Sequence, residues 1–329
     1  MIQTTNMASE SRTPIRAHHV KKFALENIVW ILLVISICAM GSMNTAFFKM
    51  AIIGNILMQT ACLGVLTAGQ AQALLVGEID LSIVGIMAFS AGLGTTLMKA
   101  GLPWPLAVVF IILFALVMGW INGMLITKLG ATALISTLAV GKILEGALMT
   151  LTEGVTIVGF PDGYLWIARA SIGRFPLLPV PFLLVFLAIW FVWNKTTLGR
   201  SLFAVGGSSG CARVSGISVD RTKIIAFMLS GLCAGIAGYL LSSYIAAVTM
   251  TFGTGYDMNT LAAAVIGGVS LTGGRGRVSG VLGGVLLITV IQVGLQVLGI
   301  SPYMTTLLSG VMIFIAVVFD AIKTRGLRR

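Results

Sequence analysis

Ten apolar runs, most of them close to a helical membrane span in length, occupy residues 28–320 and leave only short polar stretches between them. A hydrocarbon layer is crossed by about 20 mostly apolar residues in a helix. Within it the backbone must satisfy its own hydrogen bonds, which favours helices. The chain is therefore expected to be all-α: a polytopic membrane protein with about ten transmembrane helices, some of them broken. The predicted helices cover about 28–47, 51–76, 81–98, 103–126, 131–150, 178–194, 223–246, 258–272, 278–298 and 302–320. The eighth is short and glycine-rich. Composition points the same way, with 57% hydrophobic and 9% charged residues, where a soluble domain carries about a quarter charged.

The net charge of +11 raises the question of a nucleic-acid partner. The basic residues, however, sit in short loops and tails between apolar runs, so membrane topology accounts for them and no nucleic acid is expected. With both termini cytoplasmic, the inside segments hold sixteen Lys and Arg residues; the outside loops hold four, Lys49, Lys99, Arg169 and Arg174. That excess on one side follows the positive-inside rule. It divides the chain into a cytoplasmic tail (1–27), a transmembrane domain in contact with lipid (28–322) and a basic cytoplasmic tail (323–329). The run after Asn27 follows a polar tail and is long enough to span, so it reads as an uncleaved first helix rather than a signal peptide. Trp30, Trp104, Trp120, Trp190 and Trp193 fall near helix ends, as an interfacial belt requires. Two connections are long: 151–177 outside, with Phe160, Pro161, Asp162, Tyr164 and Trp166, and 195–222 inside. Functional loops are over-represented among long ones.

Several chemistries find no support. No phosphate-binding Gly-x4-Gly-Lys-Ser/Thr loop occurs, so the chain shows no ATPase of its own. The two histidines, His18 and His19, lie in the polar tail, and Cys38, Cys62, Cys211 and Cys233 lack paired or metal-ligand spacing. No metal, no bound cofactor and no catalytic residue is expected.

Residues 77–85, Gly-Glu-Ile-Asp-Leu-Ser-Ile-Val-Gly, carry two carboxylates between long apolar runs. Ionisable groups at such positions are costly and mark function or a break between helices. Gly77 and Gly85 permit a break, and broken helices supply polar groups along transport paths. Two readings stay open: Glu78, Asp80 and Ser82 line or gate a path, or Asp80 is the N-cap of the next helix. Residues 266–272, Ile-Gly-Gly-Val-Ser-Leu-Thr, can be laid over 76–82, a hint of an internal repeat. Asn55 and Gln59, at i, i+4 spacing, are amides suited either to hydroxyl-rich ligands or to bonds between helices. Lys142 and Glu145 share a helix face and can neutralise each other. Glycine pairs four apart, Gly119/Gly123, Gly231/Gly235 and Gly280/Gly284, allow helices to approach closely in lipid.

The segment Gly77-Glu-Ile-Asp-Leu-Ser82 is similar to the signature of the membrane subunits of bacterial ABC importers for simple sugars, the ribose-type permeases, which are related to branched-chain amino acid permeases. The resemblance runs from about residue 50 over most of the chain. It includes Trp120-Ile-Asn-Gly123, Thr197-Leu-Gly-Arg200, Ala204-Val-Gly-Gly207, Ala212-Arg-Val-Ser-Gly-Ile217 and Ala263-Ala-Val-Ile-Gly-Gly-Val-Ser-Leu-Thr-Gly-Gly274. It implies a permease subunit of the bacterial inner membrane that moves a pentose, hexose or related polyol by alternating access. The implied partners are a cytoplasmic ATPase that hydrolyses the ATP, an extracytoplasmic sugar-binding protein, and a second permease chain, identical or paralogous. By resemblance, Gly199, Arg200, Ala212, Arg213 and Gly216 lie in the segment that couples to the ATPase, while Asn55, Gln59, Glu78, Asp80 and Ser82 are the expected substrate path. The chain departs from the pattern at Ser208-Ser-Gly-Cys211, at Thr132-Ala133 and at Glu145-Gly146, where the family often has Arg-Gly. Alternatives are a branched-chain amino acid or nucleoside permease of the same architecture, or an ion-coupled secondary transporter using Glu78, Asp80 or the Lys142–Glu145 pair.

Overall fold

A computed structural model describes residues 27–301 and scattered positions from Met304 to Phe314. Most of the tenth predicted helix (302–320) and both polar tails lie outside the described residues. In chain order the helices are α1 (Ile28–Met43), α2 (Met50–Leu75), α3 (Ile83–Lys99), α4 (Trp104–Lys128), α5 (Ala133–Thr152), α6 (Asp162–Arg169), α7 (Pro179–Lys195), α8 (Thr197–Gly207), α9 (Ser209–Val214), α10 (Val219–Ile245), α11 (Tyr256–Ile266) and α12 (Val278–Val297). Two short antiparallel ribbons join them. Strands β1 (Ile157–Val158) and β4 (Ala247–Val248) pair Ile157 with Val248, and β2 (Ser171–Ile172) and β3 (Phe175–Pro176) form a hairpin.

Among the described residues, five helices are long and apolar enough to cross a membrane: α2, α4, α5, α10 and α12. Helices α7 and α8 pass together but meet at a bend of 74°. The apolar α1 and α3 have 16 and 17 residues. A helical polytopic membrane protein is thus what the chain builds, although several predicted spans differ in extent. The first stops at Met43, because Asn44 turns extended and its side chain accepts from the Ala46 N–H at 2.9 Å, starting a 3-10 turn over Thr45–Phe48. The eighth, expected over 258–272, is only the 11-residue α11. At 1.5 Å per residue it rises roughly 16 Å, too little to cross the hydrocarbon. It stops because Gly268 is left-handed (φ +86°) and the Val269 N–H closes back on the Ala264 carbonyl at 3.0 Å.

The core is organised around α2 and α10. From Thr60 to Leu75 every residue of α2 is buried, and α10 packs against α2, α3, α4, α6 and α8. On the other side α12 lies against α1, α2 and α11. The three glycine pairs seen in the sequence all fall at close crossings. A Cβ on Gly119 or Gly231 would run into the backbone carbonyl of Phe227 or Ala115, so α4 and α10 touch backbone to backbone. A Cβ on Gly280 or Gly284 would strike the carbonyls of Gly267 or Ala263 in α11 and its cap. Close approach of this kind supplies the dispersion contacts that hold helices together in lipid, where apolar burial gives no net drive. Outward-facing α4 presents Leu106, Val109, Leu113, Val117 and Trp120 at helical spacing, all exposed, as a lipid-facing stripe must.

The long connection 151–177 packs on the bundle through α6. Tyr164 of α6 is fully buried, its hydroxyl 2.5 Å from Ser242 Oγ of α10.

Two alanine substitutions in helices should act in opposite directions. Gly231→Ala forces α10 away from α4 and should lower the thermal unfolding midpoint in detergent, with a cost of about 1–3 kcal/mol typical of overpacking. Gly146→Ala, with nothing within 4 Å of the new Cβ, should be neutral or stabilising by up to about 1 kcal/mol. Scanning fluorimetry on the purified variants checks both signs.

Candidate functional site

The acidic segment forms the break between α2 and α3. Helix α2 closes with Gly77 in a left-handed conformation (φ +79°) and the Glu78 N–H donating to the Ala73 carbonyl at 3.0 Å. Residues 78–82 then run non-helical through the interior, where freed backbone groups need partners. Asp80 supplies them. Its Oδ1 accepts from the Ser82 N–H at 3.0 Å and from Ser82 Oγ at 2.5 Å, and its Oδ2 accepts from Ser230 Oγ of α10 at 2.7 Å. Asn122 of α4 donates to Ser82 Oγ at 2.7 Å, and Thr137 of α5 accepts from the Leu81 N–H at 3.0 Å. One turn is therefore tied to α3, α4, α5 and α10. Asp80, Ser82, Asn122 and Ser230 are all buried.

This geometry closes an Asx turn immediately ahead of α3, whose N-cap position is Ser82. A carboxylate at a helix N-terminus also meets the positive end of the helix dipole. Ser230 lies eleven residues beyond the start of α10, roughly 16 Å along its axis, so the turn penetrates the bundle rather than resting at its rim. Glu78 points elsewhere and pairs with Lys223 in the second turn of α10, both side chains about one-fifth exposed. A second ion pair at the same end, Lys128 with Asp220 at 3.1 Å, is largely exposed and contributes little.

Asn55 and Gln59 are not part of this cluster. Gln59 donates to Asn55 at 3.1 Å, and Tyr244 of α10 donates to the same Asn55 oxygen at 2.7 Å. Twenty residues of α2 separate Asn55 from Leu75, about 30 Å. The five expected path residues thus form two groups near opposite ends of one helix. Five contributors were missed: Ser230, Asn122 and Thr137 around Asp80, Lys223 at Glu78 and Tyr244 at Asn55. Asn122 carried a signal, since it lies in the Trp120-Ile-Asn-Gly123 motif; lone serines and tyrosines in apolar helices carry none.

The turn at 266–272 reproduces much of 76–82. Thr272 N–H donates to Ser270 Oγ at 3.3 Å, as the Ser82 N–H does to Asp80 Oδ1, and the Ser270 and Thr272 hydroxyls lie 3.0 Å apart. The left-handed residue sits one position later, at Gly268 rather than Gly267, so the helix cap is shifted while the polar turn keeps register. The two turns meet. The Gly274 N–H donates to the Leu75 carbonyl at 2.9 Å, and Cβ atoms on Gly206 or Gly273 would clash with backbone on their neighbours. Glycines from three segments (77, 206–207 and 273–274) therefore join the ends of α2 and α8 to the second turn.

The connection 195–222 folds as α8 and α9. Thr196 caps α8 by accepting from the Gly199 N–H at 3.1 Å, and Ser208 caps α9 through the Cys211 N–H at 3.3 Å. Of the residues expected to couple, Gly199 and Ala212 are buried: a Cβ on Gly199 would hit the Val192 carbonyl, and Ala212 anchors α9 on the body. Arg200, Arg213 and Gly216 are exposed. Between them stands Val214, 91% exposed, a bare aliphatic tip that the sequence did not single out.

These features define a helical membrane transport subunit: broken apolar helices, a buried polar turn, and a capped helical projection joined to it by close backbone contacts. Residues 52–317 match the family model described as branched-chain amino acid transport system / permease component, and the chain belongs to that family. It is 35% identical over 294 residues to the ribose import permease protein of Bacillus subtilis (strain 168), covering 89% of this chain and 91% of that one. It is 32% identical to the D-allose transport system permease protein of Escherichia coli (strain K12), over 89% and 91% of the two chains. The galactose/methyl galactoside import permease protein of the same strain is 30% identical, over 91% and 94%. No solved structure matches the chain.

Replacing Asp80 by Ala strands the Ser230 hydroxyl and the Ser82 N–H in the interior. Each orphaned group costs about 1–3 kcal/mol, so a marked fall in thermal midpoint is expected. Asp80→Asn, which keeps one acceptor oxygen, should fall between. An alanine variant as stable as the parent contradicts this account of the turn.

Proposed function

We propose that the chain is the permease subunit of an ATP-driven importer for a simple sugar, a pentose, hexose or related polyol. The observation that carries this reading is its identity to ribose, galactose and allose import permeases over about nine-tenths of both chains. In this reading ten spans, two of them short or broken, leave both termini cytoplasmic. A separate ATPase beneath the α8–α9 projection hydrolyses ATP. A binding protein delivers sugar to the outer face, and a second permease chain completes the path. The chain itself performs no chemistry on its cargo.

The geometry suggests how the parts would act. A change of contact at α9 reaches α8, whose Gly206–Gly207 rests on Leu75 and on Gly273–Gly274. Displacing that junction moves the ends of α2 and of the second turn together. Asp80 and Ser82 hold the start of α3 to three other helices, so α3, α4, α5 and α10 move as one body. A ligand or ATPase state that contacts two arrangements unequally shifts their balance. Asn55, Gln59 and Tyr244 offer uncharged donors and acceptors near the outer end of the path, and Glu78 with Lys223 closes its inner end.

The family description names branched-chain amino acids while the similar permeases named above carry sugars. Uptake of labelled ribose, galactose, allose and leucine, each with unlabelled competitors, separates the two; transport of leucine alone would overturn the sugar assignment. Uptake should persist when the membrane gradient is collapsed and ATP maintained. Val214→Asp should leave the thermal midpoint unchanged and cut uptake at least about tenfold, with the ATPase copurifying in reduced amount. Arg213→Glu should act in the same direction. Unaltered uptake in both would exclude α9 as the coupling element.

A further inference from the structure

Helix α5 is 20 residues long, about the thickness of the hydrocarbon, and Lys142 stands at its middle. Its Nζ donates to Glu145 Oε2 at 2.6 Å, and the two side chains are 69% and 43% exposed. The pair faces outward from this chain at the depth where charge is least tolerated. Charged groups at that depth face protein or a water-filled cavity rather than lipid. The same face is concave: a recess of about 200 Å³ lies between α3, α5 and the start of α11, and Lys142, Glu145 and Asp257 all line it. Apolar walls come from Leu81, Leu148 and Phe252. Leu81 belongs to the Asp80 turn, and Gly141 and Gly85 bring the α5 and α3 backbones together directly beside it.

We infer that this recess is a sugar-binding station on the transport path, with Lys142, Glu145 and Asp257 as its hydroxyl-reading groups. The inference rests on the sugar-permease reading above. Lys142 donates without accepting, and the two carboxylates accept without donating, so vicinal hydroxyls find both kinds of partner. Charge-assisted hydrogen bonds are the stronger kind. The ammonium and the Glu145 carboxylate neutralise each other, and Asp257 leaves the recess with one net negative charge, which the hydroxyl donors of an uncharged cargo can meet. The phenyl ring of Phe252 and the aliphatic walls suit the C–H faces of a sugar ring. Occupancy would press on Leu81 and hence on the turn that ties four helices together.

The test uses the intact importer in cells, with uptake of labelled ribose, galactose and allose and their deoxy analogues. Glu145→Gln and Asp257→Asn keep size and packing while weakening the acceptors. Each is expected to raise KM for the transported sugar at least about tenfold, with copurified ATPase and maximal rate retained, and to narrow the preference for the sugar over the analogue lacking one hydroxyl. Lys142→Met should do the same more severely. A purely structural pair would instead lower the amount of assembled complex and leave the preference untouched. Unchanged KM and preference in both carboxylate variants, alongside normal parental uptake, overturns the station alone. A parent that takes up none of these sugars overturns the sugar reading together with the station.

Discussion

A break in a buried helix leaves backbone donors and acceptors with no water to satisfy them, and this protein meets that requirement with one carboxylate. Asp80 holds the Ser82 N–H, the Ser82 hydroxyl and the Ser230 hydroxyl, while Asn122 and Thr137 complete the shell. Unsatisfied, these groups would cost several kcal/mol in hydrocarbon. Satisfied, they bind the first turn of α3 to α4, α5 and α10. The cost of burying the carboxylate is offset by those hydrogen bonds, and the same bonds fix the arrangement of four helices.

The glycines act at the next scale. Where α4 crosses α10, and where α11 meets α12, a single methyl group would meet a backbone carbonyl. The junction of Gly77, Gly206–Gly207 and Gly273–Gly274 applies the same rule to loops. Backbone contact has little compliance, because neither side has a rotamer to change. A displacement of α8 would therefore reach α2 and the second turn with little loss. Side-chain packing of ordinary thickness would absorb part of it.

Much of this was legible in the sequence, and what was not has physical reasons. Apolar run lengths located α2, α4, α5, α10 and α12 closely, because span length is set by the thickness of the solvent. The same criterion extended α11 by six residues, since Val269, Leu271 and their neighbours are as apolar as a helix; only the left-handed Gly268 ends it, and a lone glycine does not announce its φ. Asp80 was legible beside Ser82 in one polar segment, with a path-lining and an N-cap reading both open. Its long-range partner Ser230 was not, because contacts 150 positions apart leave no local pattern. Asn55 and Gln59 were paired correctly by helical spacing but grouped with Asp80 only by shared polarity. Ala212 and Gly199 were placed with the coupling residues by resemblance, whereas burial gives them to packing and leaves Val214 exposed.

The Lys142–Glu145 pair shows why exposure in a membrane protein must be read against depth. On a soluble helix an i, i+3 ion pair that is half exposed contributes a few tenths of a kcal/mol and has no further meaning. At the centre of a span the same exposure describes an environment the hydrocarbon cannot provide. The polar face then has to be met by another protein surface, by water or by a ligand. The apolar stripe on α4 carries no such requirement and can face lipid, so the two faces of one subunit are assigned by chemistry alone. A second permease chain against α5 would enclose the recess and the water in it. The lipid side and the transport side would then be distinguished by a single ion pair.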